Sequence, residues 1–150
     1  MSAAARAAAV AGTVVVADQA VKALVRSTIE RGDAVELFLG IELVNVRNRG
    51  IAFGMLSEGG VLLVVFALAA LAALLVFFAR YRDRPLVWLP TGLLIGGAMG
   101  NLIDRTREGA VTDFIDLPWW PAFNIADIAI TFGVLTLLYV LEGPPRHGRR

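Results

Sequence analysis

The sequence predicts an all-α integral membrane protein with four transmembrane helices and a small extracytoplasmic β-element, in a single domain over residues 1–150. Three observations predict this fold class. The chain is 57% hydrophobic and only 18% charged, whereas charged residues make up about a quarter of a typical soluble domain. Four apolar runs are long enough to cross the roughly 30 Å hydrocarbon core of a bilayer as helices. One long connection between them is rich in Val, Leu and Ile and alternates in part, as strands do.

The apolar runs differ in how clearly they predict a span. The three clear runs, with at most one charged residue each, are 61–78, 86–103 and 123–141. The run 3–25 is weaker because it contains Asp18 and Lys22. Its part 7–17, which follows Arg6, also has the length of the apolar region of a signal peptide. We interpret this run as a span, because an even number of spans leaves both termini on one side of the membrane.

The connections on the two sides of the predicted bundle differ in charge. Arginines are concentrated near Arg6, in the loop "ARYRDR" and in the tail "RHGRR", while acidic residues are frequent in the other connections. Because cytoplasmic loops are enriched in Lys and Arg, both termini are predicted to lie in the cytoplasm and the acidic connections outside. The net charge of +1 hides this asymmetry and gives no reason to expect a nucleic-acid partner.

The two outer connections carry different signals. In residues 27–60, the stretch "VELFLGIELVNVRNRG" predicts one or two strands that end in a turn at 48–50. Residues 106–122 are predicted to form a loop, and their "LPWWPAF" suits the headgroup region of a bilayer. In the third apolar run, glycines recur at every fourth position from Gly92 to Gly100, which favours close packing against another helix.

The residue types that are missing exclude several hydrolytic mechanisms. The chain has no cysteine and a single histidine, His147 in the basic tail. This excludes a thiol nucleophile, a thiolate zinc site, a Ser-His-Asp triad and the H-E-x-x-H zinc motif. A Ser-Lys dyad of Lys22 with Ser27 or Ser57 remains open, although no spacing favours it. Carboxylates are the remaining candidates.

Two carboxylates, Asp113 and Asp127, sit where an apolar helix is about to begin, which predicts that both lie near the outer surface of the membrane. Like charges held together in a poorly hydrated site cannot both ionise easily, so such a pair shares one proton. The ionised carboxylate can then take a proton from water while the protonated one polarises a carbonyl group. A pair of this kind has the chemistry needed to hydrolyse a peptide bond.

Each polar motif also has a purely structural interpretation. Asn124 and Asp127 fit an N-cap with an acid in the first helical turn. Asp18 and Lys22 fit an intrahelical i, i+4 ion pair, although ionisable residues within a span usually face the bundle and often mark function. The other polar residues, which fit a turn or an interfacial cluster, are Asn48, Gly50, Asn101, Asp104 and Arg105.

In combination these motifs resemble one family. The order "DQAVK", "NRGIAFG", "GGAMGNLIDR", "VTDFIDL" and "FNIADIAI" resembles the lipoprotein signal peptidases (signal peptidase II) of bacteria, which are integral-membrane aspartic proteases. The resemblance extends from Asp18 to the start of the last apolar run. It implies four transmembrane helices and a small extracytoplasmic β-element in the cytoplasmic membrane. It also implies cleavage of diacylglyceryl-modified prolipoproteins before the lipidated cysteine of the lipobox.

The resemblance further implies the site and its partners. Asp113 and Asp127 match the catalytic dyad, and the supporting positions are Asp18, Lys22, Asn48, Gly50, Asn101, Arg105 and Asn124. No metal or other cofactor is expected. The expected partners are prolipoprotein substrates, membrane lipid and a globomycin-type cyclic peptide inhibitor, and the protein is expected to act as a monomer. Arg47 departs from the family pattern, in which small polar residues are common near this position.

Alternatives from other classes are also open. A small ion-coupled transporter could use Asp18, Lys22 and the outer carboxylates as an ion relay, and a non-catalytic scaffold is a third interpretation. A transporter predicts proton-linked uptake and no cleavage product.

Overall fold

A computed structural model describes residues 1–50 and 60–142 of the chain. The helices are α1 (Ala3–Thr28), α2 (Gly60–Tyr81), α3 (Trp88–Glu108) and α4 (Ile125–Glu142). The strands are β1 (Ala34–Phe38), β2 (Ile41–Asn48), β3 (Val111–Leu117) and β4 (Trp120–Phe123). The "IAFG" that follows the predicted turn, Ser57, and the basic tail with His147 lie outside the described residues.

Three of the described helices are long and apolar enough to cross a membrane, over Ala3–Thr28, Val64–Tyr81 and Ile125–Glu142. The span predicted at 86–103 corresponds to α3, which is not among these three. Its glycines, its polar residues and its charged last turn lower its hydropathy. The described part of the chain is thus mainly helical with three candidate spans and a small antiparallel sheet, and a fourth span stays a prediction.

Helix α3 lies at the centre of the bundle, in contact with α1, α2 and α4. Glycines allow its close approach to α1. A Cβ atom at Gly92 would lie 2.7 Å from the carbonyl oxygen of Ala7, and one at Gly96 would lie 2.7 Å from Cβ of Val14. The predicted glycine packing face is therefore confirmed, and α1 is its partner. On another face, Gly97 allows an equally close approach of α4.

The four described strands form one antiparallel sheet in the order β1-β2-β3-β4. The strands predicted within 27–60 are confirmed as β1 and β2. The loop predicted over 106–122 is wrong, because β3 and β4 form a hairpin there. Asp113 accordingly lies in a strand, opposite Val46, and not at the start of a helix. The β-branched and aromatic residues of "VTDFIDL" favour a strand, and pairing with β2 satisfies its backbone.

A small apolar core joins the sheet to the helices. Val25 and Ile29 at the end of α1 pack with Phe114 of β3, and Ile125 at the start of α4 packs against the same cluster. Because successive side chains of a strand point to opposite faces, burying Phe114 in this core turns the neighbouring Asp113 the other way. The core therefore holds β3 between the end of α1 and the start of α4, with Asp113 directed away from it.

Candidate active site

Asp113 is a buried carboxylate that two asparagines contact. Only 2% of its surface is exposed. Asn48, the last residue of β2, donates a hydrogen bond of 2.9 Å to its Oδ2, and Asn124, just before α4, donates one of 2.7 Å to its Oδ1. The pairing of β2 with β3 and the β4–α4 junction thus bring both predicted supporting residues to this aspartate.

Asp127 lies in the first turn of α4 and is half-buried. Asn101 of α3 donates a hydrogen bond of 2.8 Å to its Oδ1. Asn124 and Asp127 also cap the helix reciprocally: the Asp127 backbone N–H donates to Asn124 Oδ1 at 3.0 Å, and the Asn124 backbone N–H donates to Asp127 Oδ2 at 3.3 Å. The helix-cap interpretation is therefore confirmed, and the same two residues also belong to the polar cluster.

The environment of Asp113 changes its proton affinity. Burial raises the pKa of its carboxyl from 3.8 to about 6, and the negative charge of Asp127 adds to the rise. The hydrogen bonds from Asn48 and Asn124 and the positive charge of Lys22 oppose it. Asn124 contacts both aspartates, so the two carboxyl groups lie in one polar cluster, and the charge of Asp127 acts on Asp113 in the direction expected of like charges.

Lys22 lies behind the pair, with its side chain fully buried. Its ammonium group is 2.8 Å from Asp18 and 3.2 Å from Asp104, and it donates a hydrogen bond of 3.1 Å to Asn101 Oδ1. The predicted i, i+4 ion pair is confirmed. The alternative Ser-Lys dyad of Lys22 with Ser27 is not formed, because the Ser27 hydroxyl donates its hydrogen bond to the backbone carbonyl of Leu24 in its own helix. The other candidate, Ser57, lies outside the described residues.

Asp104 is buried and belongs to the polar cluster around Lys22, whereas the sequence alone places it only in an interfacial polar group. Its carboxylate accepts hydrogen bonds from the Thr112 backbone N–H at 2.9 Å and from the Gln19 side chain at 3.0 Å. The spacing contains a signal for it. Asn101 and Asp104 are three residues apart on one helix, so they share a face, and the packing that brings one into the site also brings the other.

Gly50 and Arg105 take two further predicted positions at the site. Gly50 adopts a positive φ of 90° and its N–H donates a hydrogen bond of 2.8 Å to Asn48 Oδ1, so the predicted turn is confirmed. Arg105 donates weakly to the Asn101 carbonyl at 3.4 Å, and its buried Nε has no partner among the described residues. Arg47, which departs from the family pattern, pairs with Glu108 at the end of α3.

A cavity of about 490 Å³ opens between α2, α3 and α4 beside the pair. Its apolar wall is formed by Phe66, Ala67, Ala70, Leu71, Leu74, Leu94, Ala98 and Ile130, and its polar end by Asn101, Arg105 and Asp127. The cavity therefore combines room for an apolar chain with access to one of the two carboxylates. Within residues 1–50 and 60–142, no three His, Cys, Asp or Glu side chains are grouped so that they could hold a metal ion.

Comparison with known proteins identifies the family. A family model described as signal peptidase (SPase) II matches residues 10–142. The chain belongs to the signal peptidase II family. The chain is 39% identical over 145 residues to the lipoprotein signal peptidase of Nitratidesulfovibrio vulgaris (strain DP4), and the match covers 90% of this chain and 88% of the relative. It is 48% identical over 106 residues to that of Syntrophomonas wolfei subsp. wolfei, which covers 69% and 71%.

Two solved structures described as bacterial membrane enzymes share the fold of this chain, each with a TM-score of 0.85. One is 32% identical and covers 96% of this chain and 92% of its own, and the other is 34% identical and covers 91% and 92%. The family match and these structures show that the chain is a membrane protease of signal peptides, and the aspartic class fits the family. They give no support to the transporter alternative.

Proposed function

We propose that the protein cleaves diacylglyceryl-modified prolipoproteins before the lipidated cysteine of the lipobox, with Asp113 and Asp127 as its catalytic pair. The names of the relatives, lipoprotein signal peptidases, support the substrate class. The observation that carries the residue assignment is the cluster itself. Asp113 and Asp127 each accept a hydrogen bond from an asparagine side chain, Asn124 contacts both of them, and Asp127 lies at the polar end of an apolar cavity.

The geometry supports different catalytic roles for the two aspartates, one as general acid and one as general base. Because burial raises the pKa of Asp113 to about 6, this group gains and loses a proton near physiological pH, as a general acid must. In the proposed reaction Asp127 takes a proton from the attacking water while protonated Asp113 donates a hydrogen bond to the scissile carbonyl oxygen. Asp113 then gives its proton to the amine nitrogen as the C–N bond breaks, while Asp127 keeps the proton taken from water, so the pair again holds one proton. The products are a signal peptide with a new carboxyl group and a lipidated cysteine with a free amine.

The cavity and Arg105 suit the substrate. A signal peptide is itself an apolar segment, and the wall between α2 and α4 is apolar. Arg105 has only donors, and buried donors are almost always paired, yet its Nε has no acceptor among the described residues. A peptide carbonyl of the substrate would supply that acceptor and would align the chain with Asp127. We propose that a globomycin-type cyclic peptide inhibits by occupying the same cavity.

We propose that α3 is the fourth transmembrane helix and that the enzyme works as a monomer in the cytoplasmic membrane of a bacterium, with the pair at the outer face. Arg6 and the arginines that follow α2 lie at the end of the bundle opposite the sheet, which supports cytoplasmic termini. Contacts with the other three helices shield α3 from lipid, so its lower hydropathy is compatible with a span. Trp119, 92% exposed at the tip of the β3–β4 hairpin, suits the lipid headgroups.

The test compares Asp113→Asn and Asp127→Asn in purified, detergent-solubilised protein with a synthetic diacylated prolipoprotein peptide. Each variant loses proton transfer at one carboxylate, so we expect each to cleave at least about a hundredfold more slowly, the lower end of the usual contribution of a general acid or base. Cleavage is measured by mass spectrometry of the released peptides, which also identifies the scissile bond.

Asp116→Asn is the matched control, because Asp116 lies in the same strand as Asp113 and faces Glu42 across the ladder, outside the site. We expect it to cleave at the wild-type rate. Wild-type rates in both site variants would show that the dyad is wrongly assigned, and equal cleavage of a peptide without lipid would show that the substrate class is wrong.

A further inference from the structure

Three asparagine side chains direct their NH₂ groups at the aspartate pair. Asn48 and Asn124 donate to Asp113, and Asn101 donates to Asp127. A side-chain amide has a donor end and an acceptor end of nearly the same shape. The opposite orientation would set a carbonyl oxygen against a carboxylate, so something must hold each amide the right way round.

In each case a donor at the amide oxygen does so. The Gly50 backbone N–H donates to Asn48 Oδ1 at 2.8 Å, and the Asp127 backbone N–H donates to Asn124 Oδ1 at 3.0 Å. These two donors come from the backbone and are present whatever the side chains. The third amide, that of Asn101, receives two side-chain donors at its oxygen: the Lys22 ammonium at 3.1 Å and the Asn124 NH₂ at 3.2 Å. Of these two, only the ammonium has donors and no acceptor, so it cannot be turned to favour the opposite orientation of Asn101.

Lys22 is also linked to the chain segments that carry Asp113 and Asp127, through its ion pairs with Asp18 and Asp104. Asp18 accepts a hydrogen bond of 3.0 Å from the backbone N–H of Ala126, the residue directly before Asp127. Asp104 accepts one of 2.9 Å from the backbone N–H of Thr112, the residue directly before Asp113. The ammonium group lies within 3.2 Å of both carboxylates, so one buried cation links the two chain segments that carry the pair.

We infer that Lys22 is a positioning residue of the catalytic pair: it orients the Asn101 amide toward Asp127 and, through Asp18 and Asp104, holds the chain immediately before each aspartate. The inference rests on the proposed function. It goes beyond an ordinary structural ion pair, which would stabilise the bundle without any effect on which end of Asn101 faces Asp127.

The first test is Asn101→Asp. This side chain keeps its size and offers Lys22 an oxygen, so the bundle retains the contact, but it places an acceptor against Asp127 where a donor stood. We expect a folded enzyme whose kcat falls at least tenfold and whose KM stays within about threefold. The acidic limb of its pH–kcat profile moves to higher pH, because added negative charge favours protonated carboxylates in the cluster. The charged groups around position 101 are Lys22, Asp18, Asp104, Arg105, Asp113 and Asp127.

Asn45→Asp is the matched control. Asn45 is also buried, and its NH₂ donates a hydrogen bond of 2.8 Å to the Ile29 carbonyl, outside the cluster. We expect this variant to lose thermal stability while its pH–kcat profile stays in place. A profile of Asn101→Asp that superimposes on the wild type, or an equal displacement in Asn45→Asp, would overturn the inference.

The second test replaces Lys22 without changing the buried charge. In the wild type, Lys22, Asp18 and Asp104 together carry a formal charge of −1. In the double variant Lys22→Met/Asp18→Asn only Asp104 is charged, so the sum is again −1, and Arg26 still lies 3.8 Å from Asp104. We expect this variant to fold, by gel filtration and thermal denaturation, with kcat at least tenfold lower. Near wild-type kcat in the folded double variant would refute the role of Lys22, and a variant that does not fold leaves the decision to Asn101→Asp. An inactive wild type would instead count against the proposed function.

Discussion

Replacing Asp113 with asparagine should change how the stability of the protein depends on pH, as well as its activity. The folded state raises the pKa of this carboxyl from 3.8 to about 6. Since one pKa unit corresponds to about 1.4 kcal/mol, ionised Asp113 destabilises the folded state by about 3 kcal/mol. The asparagine is neutral at every pH and lacks this penalty, although its NH₂ meets the NH₂ of Asn48 or Asn124, a pH-independent loss of about 1–3 kcal/mol.

The sign follows from proton linkage. The folded state binds the proton of Asp113 more tightly than the unfolded state does, so the free energy of unfolding falls as the pH rises. The contribution of Asp113 is therefore most favourable below its unfolded pKa of 3.8, falls between there and about 6, and stays low above that value. Asp113→Asn removes this fall, whatever its effect on absolute stability.

The assay is thermal denaturation of wild type and variant in one detergent, in buffers from about pH 4 to about pH 7.5. About 2.5 of the 3 kcal/mol is lost between about pH 4 and about pH 7.5. At a few degrees per kcal/mol, the melting temperature of the wild type should therefore fall by roughly 5–10 °C more than that of Asp113→Asn across this range. Other titrating groups are common to both proteins and cancel in the difference. If the melting temperatures of the two proteins depend on pH in the same way, the reasoning is refuted. Asp116→Asn is the control for a general effect of removing a carboxylate, and its melting temperature should depend on pH as that of the wild type does.

Further predictions concern the helix packing and the cavity. Gly96→Ala should destabilise the bundle by about 1–3 kcal/mol, the usual cost of overpacking, because the new Cβ would lie 2.7 Å from Cβ of Val14. Thermal denaturation measures the loss. The control is Gly12→Ala, whose Cβ meets nothing within 4 Å and which should be neutral or slightly stabilising. Ala70→Phe should fill the cavity that we assign to the signal peptide and raise KM by about tenfold, a loss of about 1.4 kcal/mol, with melting temperature unchanged; an unchanged KM in the steady-state cleavage assay would show that the substrate lies elsewhere. Arg105→Lys should also raise KM, since an ammonium cannot reproduce the planar fork of donors, and an unaltered KM would remove Arg105 from substrate binding.

The contacts that the sequence predicts correctly are those between residues close together along the chain. Asp18 and Lys22 are one helical turn apart, so their pairing needed no tertiary information. Asn124 and Asp127 have the spacing of a helix cap, and the glycines of α3 have the spacing of a packing face. Each of these is confirmed by the structure.

The errors have a common cause. The sequence predicts a loop over residues 111–117 because their strand partner is distant along the chain: β2 completes the ladder, and it pairs Val46 with Asp113, more than sixty residues away. The sequence does not assign Asp104 to the catalytic site, because its role depends on Thr112 and Lys22, which only folding brings to it. The span at 86–103 is not one of these errors and stays a prediction: composition indicates it, and the structure adds that α3 contacts three other helices.

The sequence by itself determined the class of molecule and the chemistry available to it. Its apolar runs require a lipid environment, and with no cysteine and one histidine in the basic tail, acid–base work was left to carboxylates. Only the tertiary structure decided which polar groups meet. A lysine of α1 faces an amide 79 residues away, and that amide faces an aspartate of α4. Hydrogen bonds of about 3 Å depend on helix packing and strand register, and no spacing along a single chain specifies these distances.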